Sequence, residues 1–597
     1  MRLVDALVAT LAEWELRHVF GVSGANIEHF HDAIERLGQP QRLRAVLARS
    51  EVGAAFMADA RARVHRTLGL CCATSGGGMM NLAVGLAESY AESVPVLAVV
   101  GQVATTLEGK GGFQDGSGIG RTVDAAALLG ACTKRVLRLG DPACFWAQLE
   151  DAVRTALAGR PGPTVLLVPR DVWERPVPAR PPHLPRTLDA LRAPAPLGAT
   201  DETALDALFA ALATARRPVL LLGTGVERSS DAEAARRFAV ATGIPVATTM
   251  ASPGAFPNEH PLYLGTVGAA GHPSAHAYLN DVADLILAAG TGLDVMTRAA
   301  IGPGLARAAV AAINVDPAAI RRILAPAHLV AADAGLAFTG LAARLAERPF
   351  RHAPPVAYAL TRFVPQLAPA APGAPAPLHD ADAPPLRSSQ AIALLQRYLP
   401  ERGHILFDAG NCAATALHHL DIPAGTSTTI ALGQGGMGYA IGAATGVQLG
   451  AARGARTLVV CGDGAFLMLG PEVHTAVDLG LRVLFVVMND QAHGMCVTRQ
   501  ALYFGGRPAC ARYAPVDVAQ VARGFGPPAR LWVGAAATPG QLLAKLAEYH
   551  ADGAARPGVL EVRLARAELP PFTPFLDPHA PTFVARPHLA SPDRQSA

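Results

Sequence analysis

Residues 458–494, LVVCGDGAFLMLGPEVHTAVDLGLRVLFVVMNDQAHG, decide how the rest of the chain is read. The opening apolar run, Leu458-Val459-Val460-Cys461, has the length and continuity of a buried parallel strand. It ends in Gly462-Asp463-Gly464, a turn that leaves a carboxylate at the strand's C-terminal edge. Leu469, Val473, Ala476, Val477 and Leu479 then recur at helical spacing, with Glu472 near the start of that segment. A second apolar run, Val483 to Met488, leads directly into Asn489-Asp490. The pattern predicts a β-α-β unit whose two strand ends deliver oxygen ligands to one crevice, where open α/β sheets bind ligands.

Hard divalent cations take oxygen ligands, and magnesium usually keeps phosphate oxygens in its shell. Asp463, Asp490 and the backbone carbonyl of Ala492 are therefore a candidate Mg²⁺ set that would hold the metal against a diphosphate. Alone, GDG reads equally as an ordinary strand-end turn; the second strand and the Asn-Asp turn argue for a ligand. Together the two turns resemble the motif of thiamine diphosphate (ThDP) enzymes, GDG followed at long range by NN or ND. The separation here, 490 − 463 = 27 residues, fits the second ligand of that family and favours Asp490 over Asn489.

A chain of 597 residues is long enough for about three or four domains. With 51% apolar and 17% charged residues it has ample core, and a net charge of +3 makes no case for nucleic acid. The eight cysteines show no CxxC spacing and sit mostly in apolar strands or small-residue turns. That predicts reduced, buried thiols and a cytoplasmic home. The N-terminus is an amphipathic helical pattern interrupted by Asp5, Glu13 and Glu15, not a signal peptide, and no apolar run reaches membrane-spanning length. A soluble protein with no membrane partner is expected.

Residues 1–180 repeat a strand-helix rhythm, with strands at His18–Val22, Arg44–Leu47, Leu68–Ala73, Val94–Val100 and Thr164–Val168. Such alternation predicts a doubly wound parallel sheet. Ordered along it are HVFGVSGANIEHFHDAI, RSEVGAAFMADARAR, TSGGGMMNLAVGLAESYAESVPVLAVVGQ, GGFQD and GRPGPTVLLVPRDV. In this order they resemble the pyrimidine-binding domain of acetolactate-synthase-like ThDP enzymes, and the likeness covers almost the whole chain. The resemblance implies an α/β protein of three doubly wound parallel-sheet domains. They would be a pyrimidine-binding domain (1–180), a middle domain (196–350) and a diphosphate- and Mg-binding domain (388–566), with a linker at 351–387 and a tail at 567–597.

Composition agrees with that division. Pro181 to Thr200 is rich in Pro, Arg and Ala, and residues 351–387 hold Pro and Ala at a density that builds no core. Strands at Pro218–Gly223, Pro245–Ala247, Asp284–Ala289 and Val310–Val315 form the unit between them. Some members of the family hold FAD in this domain. Here the family's GARFDDR is replaced by Gly290-Thr291-Gly292-Leu293-Asp294-Val295-Met296, without its arginines, so the expectation is a domain without FAD. In the last unit, His404–Phe407 runs into Asp408-Ala409-Gly410-Asn411, and Thr428–Leu432 into Gly433-Gln434-Gly435-Gly436-Met437-Gly438. The helix after that glycine run is expected to aim its N-terminus at a phosphate. The tail from Pro570 is Pro-rich and reads as a flexible or covering arm.

The resemblance also implies a chemistry. ThDP acts after its thiazolium C2 loses a proton to the cofactor's own amino group, once a carboxylic acid has protonated the pyrimidine ring. Glu51, flanked by Ser50, Val52, Ala54 and Ala55, stands where the family places that acid. Taken alone it is a helix-start glutamate favoured by the macrodipole. Phe113-Gln114 begins 113 − 51 = 62 residues later, much as in acetolactate synthases, whose glutamine reaches the reacting substrate. Asn26 lies in the turn that faces substrate in carboligating relatives. The expected catalytic set is thus Glu51, Gln114, Asn26 and Phe113. The expected cofactor cradle is Glu51 with Gly410, Asn411, Gly433, Gln434, Gly435 and Met437, the turn Gly462-Asp463-Gly464-Ala465, and Asp490, Ala492, His493, Gly494 and Met495. Because the acid and the diphosphate belong to different domains, the family architecture implies sites between the subunits of a homodimer or homotetramer.

Three positions depart from the family. Its PKDV is Pro169-Arg170-Asp171-Val172, its GTMG is Gly435-Gly436-Met437-Gly438, and its acceptor-selecting tryptophan is absent, with Arg499 close to that place. These departures weaken the case for a housekeeping acetolactate synthase and leave the ThDP reading intact. The leading expectation is decarboxylation of a 2-oxo acid, pyruvate foremost, followed by carboligation to a second carbonyl. A simple decarboxylase that releases an aldehyde, and a ThDP-binding pseudoenzyme with a regulatory role, stay open.

Overall fold

Continuous apolar runs closed by glycine turns become parallel strands in the computed structural model of the chain, which describes residues 1–37, 42–192, 194–353, 360–366, 386–551, 554–565 and 568–576. The first sheet contains β1 (His18–Gly21), β2 (Arg44–Leu47), β3 (Gly69–Ala73), β4 (Val96–Gln102), β5 (Arg135–Arg138) and β6 (Thr164–Pro169), in the order β2-β1-β3-β4-β6-β5. The middle sheet contains β7 (Pro218–Leu222), β8 (Val246–Thr249), β9 (Tyr263–Val267), β10 (Leu285–Ala289), β11 (Ala309–Ile313) and β12 (His328–Val330), in the order β12-β11-β10-β7-β8-β9. The third contains β13 (Gly403–Phe407), β14 (Thr426–Ile430), β15 (Arg456–Gly462), β16 (Val483–Asn489), β17 (Trp532–Ala536) and β18 (Gly558–Arg563), and its order, β14-β13-β15-β16-β18-β17, repeats that of the first. All ladders joining these strands are parallel, so the chain has three doubly wound α/β domains.

Most strands buried on both faces are ones the sequence announces; β9, wholly buried, is an exception. Every residue of β4, β6, β10 and β16 is buried, which is why these segments are unbroken apolar runs. Strands β5, β9, β12 and β17, absent from the sequence reading, lie at sheet edges. Strand β18 is interior, but its pattern is interrupted by Glu561, a buried carboxylate that accepts from Asn489 Nδ2 at 2.7 Å and Ala519 N–H at 3.1 Å. The single helix expected after Gly464 is two, Asp463–Leu469 and Glu472–Asp478. They break at Gly470-Pro471, where proline lacks the N–H that a helix interior needs.

Helices Glu51–His65 and Tyr439–Gly450 join the first and third sheets, and they approach closely because the contact is built from small residues. A Cβ on Gly442 would lie 3.4 Å from the Gly53 Cα, and one on Gly446 would overlap the Met57 carbonyl. A buried ionic group holds this contact. Asp59 accepts from Arg63 Nε at 3.0 Å, Ser89 Oγ at 2.8 Å and Tyr439 OH at 2.5 Å, while Arg63 also donates to the Ile430 carbonyl at 3.0 Å.

Asp408, at the end of β13, is wholly buried, and its carboxylate accepts from the Gly438 and Ala440 N–H groups, each at 2.9 Å. The helix after the glycine run therefore spends its first donors on its own chain, and the expectation that this end faces a phosphate is not met. Burial pushes the Asp408 carboxyl up to about 6 despite these bonds. Asp408→Ala leaves two buried N–H groups unpaired, so a loss of about 2–4 kcal/mol is expected in urea unfolding. A change below about 0.5 kcal/mol would show that water replaces the cap.

The middle and third domains meet at His272 and His418, stacked with ring centroids 5.0 Å apart. Thr266 N–H donates to His272 Nδ1 at 3.0 Å, and His272 Nε2–H donates to the His418 carbonyl at 3.0 Å. Phe363 N–H donates to His418 Nε2 at 2.8 Å, and His418 Nδ1–H donates to the Gly271 carbonyl at 3.1 Å. All four ring nitrogens are committed to neutral tautomers, and burial holds His272 down to about 3 and His418 to about 2. The unfolded chain takes up these protons first, so each histidine contributes stability that is complete above its ordinary 6.5 and lost as pH falls below it. Between pH 6 and 4, wild-type stability should fall more steeply than that of His418→Gln, by about 1.4 kcal/mol per pH unit. Equal slopes in urea titrations would contradict this assignment.

Of the expected linker at 351–387, residues 354–359 and 367–385 lie outside the described residues. Residues 360–366 run along the histidine junction, where Arg362 Nε donates to the His418 carbonyl at 3.1 Å. Of the expected tail, Phe572 and Phe575 are buried in the third domain's core, and residues 577–597 lie outside the described residues. Among the described residues no helix is long and apolar enough to cross a membrane.

Candidate active site

The register of β15 against β16, with Gly462 opposite Met488, puts Asp463 level with Asn489 and so leaves Asp463 and Asp490 at the same C-terminal edge of adjacent strands. Asn489 turns its amide into the sheet, donating to Glu561 at 2.7 Å and the Val516 carbonyl at 3.1 Å, which leaves Asp490 as the residue at the cleft. Asp463 is buried, which pushes its carboxyl up; the Tyr513 hydroxyl, donating to Oδ2 at 2.7 Å, and the backbone N–H of Gln491 pull it back. Asn411 opens the helix Asn411–His419 after Gly410, whose φ of +122° suits only glycine. Its Nδ2 donates to Thr498 Oγ1 at 3.3 Å, and its Oδ1 is buried without a protein partner. His493 Nδ1 is in the same condition. A Cβ on Gly494 would strike Asp490 Oδ2 and lie 3.0 Å from Asn411 Nδ2. One on Gly464 would lie 2.6 Å from His493 Nδ1 and 3.4 Å from Met437 Cε.

Asn411, Met437, Asp463, Gly464, Asp490, His493 and Gly494 thus form one cluster, onto which the N-termini of helices Asn411–His419 and Gly494–Tyr503 converge. Two helix N-termini favour an anion, and two carboxylates beside them favour a cation that bridges to it. Two unpaired buried polar atoms and two glycine cradles fit a diphosphate held through a hard metal. Among the described residues no group of three or more His, Cys, Asp or Glu side chains is placed to bind a metal.

The remaining predicted cradle residues differ in what they face. Ala492 is bridged to Arg512, and His493 N–H donates to the Ala511 carbonyl at 2.9 Å, so the segment that carries Tyr513 is laid over the cluster. Ala465 is buried in the core on one face of the third sheet, and Met495, on the helix Gly494–Tyr503, packs against the core on the other face. The N–H groups of Gly433 and Gln434 are committed to Glu88 of the first domain, at 3.2 and 2.7 Å, rather than open to a ligand. Gly435, at φ +66°, keeps open space where its Cβ would stand.

A second cluster gathers on the turn Thr74–Gly78. Asn26 N–H donates to Thr74 Oγ1 at 3.3 Å and its Nδ2 to Ser75 Oγ at 2.7 Å. Gln114, at φ +62°, lies over Gly76, whose Cβ would fall 2.8 Å from Gln114 Cγ. Glu51 is half-buried at the start of its helix; its Oε1 stands 2.9 Å from the Cβ position of Gly78, and its Oε2 accepts from Asn81 Nδ2 at 3.0 Å. Phe113 is 83% exposed. Glu51, Gln114 and Asn26 are therefore brought together, and the carboxylates Asp463 and Asp490 belong to the other cluster. Tyr513, Asn81 and Glu88 were not singled out by the sequence, and Glu472 was noted only as a residue near a helix start. Asn81 lies inside a quoted motif and offered a signal; Tyr513 stands 50 positions from its partner and offered none.

In the middle domain, the crevice between β7 and β10 is where a doubly wound sheet of this order binds dinucleotides. Here the turns that would line it pack on each other. Gly225 N–H donates to the Gly290 carbonyl at 2.8 Å, and a Cβ on Gly223 would lie 2.7 Å from Thr291 Cβ.

Comparison with known proteins places the molecule. Residues 1–119 match the N-terminal TPP binding domain of thiamine pyrophosphate enzymes, residues 205–341 their central domain and residues 408–562 their C-terminal TPP binding domain. The chain is 28% identical over 594 residues to a probable acetolactate synthase large subunit of Methanocaldococcus jannaschii, covering 96% of this chain and 94% of that one. It is 30% identical over 529 residues to an acetolactate synthase of Mycobacterium bovis, covering 86% and 79%. Over 550 residues it is 30% identical to acetolactate synthase 2, chloroplastic, of Zea mays, covering 88% and 80%. The chain belongs to the thiamine diphosphate-dependent enzymes, and within them to the acetolactate synthase kind.

Proposed function

We propose that the chain binds ThDP through Mg²⁺ and uses it to decarboxylate a 2-oxo acid, pyruvate, and to join the remaining acyl unit to a second carbonyl. The observation that carries this reading is the placement of Asp463 and Asp490 at one strand edge, between two helix N-termini, in a chain whose relatives are named acetolactate synthases. Bound ThDP supplies the electron sink that a 2-oxo acid needs to lose CO₂. The chain's own residues do the rest. Asp463, Asp490 and the Ala492 carbonyl hold the metal, and the helix N-termini stabilise the diphosphate charge. Asn81 fixes Glu51 Oε2, which leaves Oε1 to hold the proton shared with a pyrimidine nitrogen. The Gln114 amide serves a substrate carboxylate or acceptor carbonyl without competing as a base.

In this reading two copies complete each site, one contributing Glu51 and the other the metal. Support comes from the face that carries Asn81, where Met80 is 39% and Val84 49% exposed on the same helix. The domains run 1–180, 196–350 and 388–566, and the protein works in the cytoplasm, with all eight cysteines unpaired. The closed crevice between β7 and β10 supports a middle domain without FAD.

Incubation with pyruvate, alone and with a panel of aldehydes and 2-oxo acids, followed by mass spectrometry, tests the function. The expected product is a 2-hydroxy-2-alkyl-3-oxo acid or an acyloin. Acetaldehyde as sole product would reassign the chain as a decarboxylase, and no CO₂ from any 2-oxo acid would reject the reading.

A further inference from the structure

The shared strand order of the first and third sheets extends to how they grip each other. In each sheet one helix follows the second strand, Glu51–His65 and Tyr439–Gly450, and another follows the third, Gly77–Ala91 and the broken pair ending in Glu472–Asp478. Glu472 is fully buried. Its Oε1 accepts from Arg49 N–H at 3.0 Å, Ser50 N–H at 2.9 Å and the Ser50 hydroxyl at 3.2 Å. Glu88, on the equivalent helix of the first domain, is fully buried too. Its Oε1 accepts from Gly433 N–H at 3.2 Å and its Oε2 from Gln434 N–H at 2.7 Å. Each carboxylate therefore clamps the turn that leads into the other domain's post-β2 helix. One turn delivers Glu51; the other delivers Met437 to the face of Gly464.

We infer that Glu472 and Glu88 are reciprocal positioning residues, Glu472 fixing the carboxyl of Glu51 and Glu88 fixing the loop that seats the diphosphate half. This rests on the ThDP reading of the two clusters. An apolar residue would fill either space at less cost than a buried carboxylate, but it would leave two backbone N–H groups of a site-bearing turn unpaired. Burial pushes both carboxyls up; at Glu88 the Arg63 guanidinium, 3.8 Å away, and then the Gln434 N–H counter it, and at Glu472 the Thr475 hydroxyl and then the Arg49 and Ser50 N–H groups do so.

Glutamine and alanine variants of each, in the full chain, test the inference by turnover, ThDP affinity and amide exchange. Glu472→Ala should lower kcat by about 10–100-fold with ThDP affinity within about 3-fold. Glu472→Gln should recover most of it, because one oxygen takes all three turn donors. Glu88→Ala should weaken ThDP binding by about 10–100-fold with kcat at saturation within about 3-fold. Glu88→Gln should recover only part, because Gly433 and Gln434 use different oxygens. Without cofactor, amide protection should fall at Arg49 and Ser50 in the first alanine variant, and at Gly433 and Gln434 in the second. Equal losses of kcat and affinity that track thermal stability, or unchanged protection at the clamped amides, would overturn the inference. Wild-type protein that binds no ThDP would instead sink the ThDP reading, while the exchange pattern would still test the clamps.

Discussion

Glu51→Gln is expected to lower kcat by about 10²–10⁴-fold while ThDP affinity changes by no more than a few-fold. Glutamine keeps the size of the side chain and an oxygen for Asn81 Nδ2, which donates to Glu51 at 3.0 Å. The helix start is preserved as well, because Ser50 Oγ accepts from Gly53 N–H at 3.0 Å and Glu472 holds the preceding turn. What glutamine cannot do is share an acidic proton with a ring nitrogen. The loss should therefore appear in turnover, and most directly in exchange of the C2 proton of bound ThDP followed by NMR. A variant that exchanges this proton at the wild-type rate would remove Glu51 from its role.

The second large effect belongs to Asp463. Asp463→Asn retains an oxygen for the Tyr513 hydroxyl and the Gln491 N–H, so the strand edge and the covering segment should stay in place. It removes one of two negative charges beside the helix N-termini. Losing an outer partner of a metal ligand already costs about 10–100-fold in affinity, and losing the ligand itself should cost about 100-fold or more in Mg²⁺-dependent ThDP binding. The change should be visible by calorimetry with little shift in thermal stability. Affinity within about 3-fold of wild type would mean that Asp463 only caps the turn.

The contrast between these two acids and the buried glutamates that clamp the turns Arg49-Ser50 and Gly433-Gln434 shows where the sequence was legible. Asp463 and Asp490 are each announced by an apolar run that ends in a turn, and the intervening helix leaves their pairing little choice. Glu51 needed the company of other motifs, since a glutamate opening a helix is ordinary. Glu472 was visible only as a residue near a helix start, because its role comes from Arg49 and Ser50, more than 400 positions away. Glu88 and Gly433–Gln434 meet across a comparable gap, which is why a glycine run that reads as an open phosphate loop is partly closed by a carboxylate. The same limit explains the helix after that run: its N-terminus is aimed at Asp408, a contact between a strand end and a distant helix start that no local spacing encodes. Edge strand β5, which begins and ends in exposed arginine, lacks the both-face burial that marks interior strands, whereas edge strand β9 is wholly buried but broken by Gly265-Thr266.

Mixing two inactive variants tests most directly whether Glu51 and the metal carboxylates serve one cofactor from two copies of the chain. Glu51→Gln and Asp463→Asn chains, unfolded together and refolded at equal concentrations, form mixed dimers in which one site combines an intact Glu51 with an intact Asp463. About one quarter of wild-type pyruvate turnover is then expected, since half the dimers are mixed and each holds one complete site. Recovery near that level would establish the shared site. Mixed dimers that form, as shown by differential tagging, yet stay as inactive as either parent would contradict it.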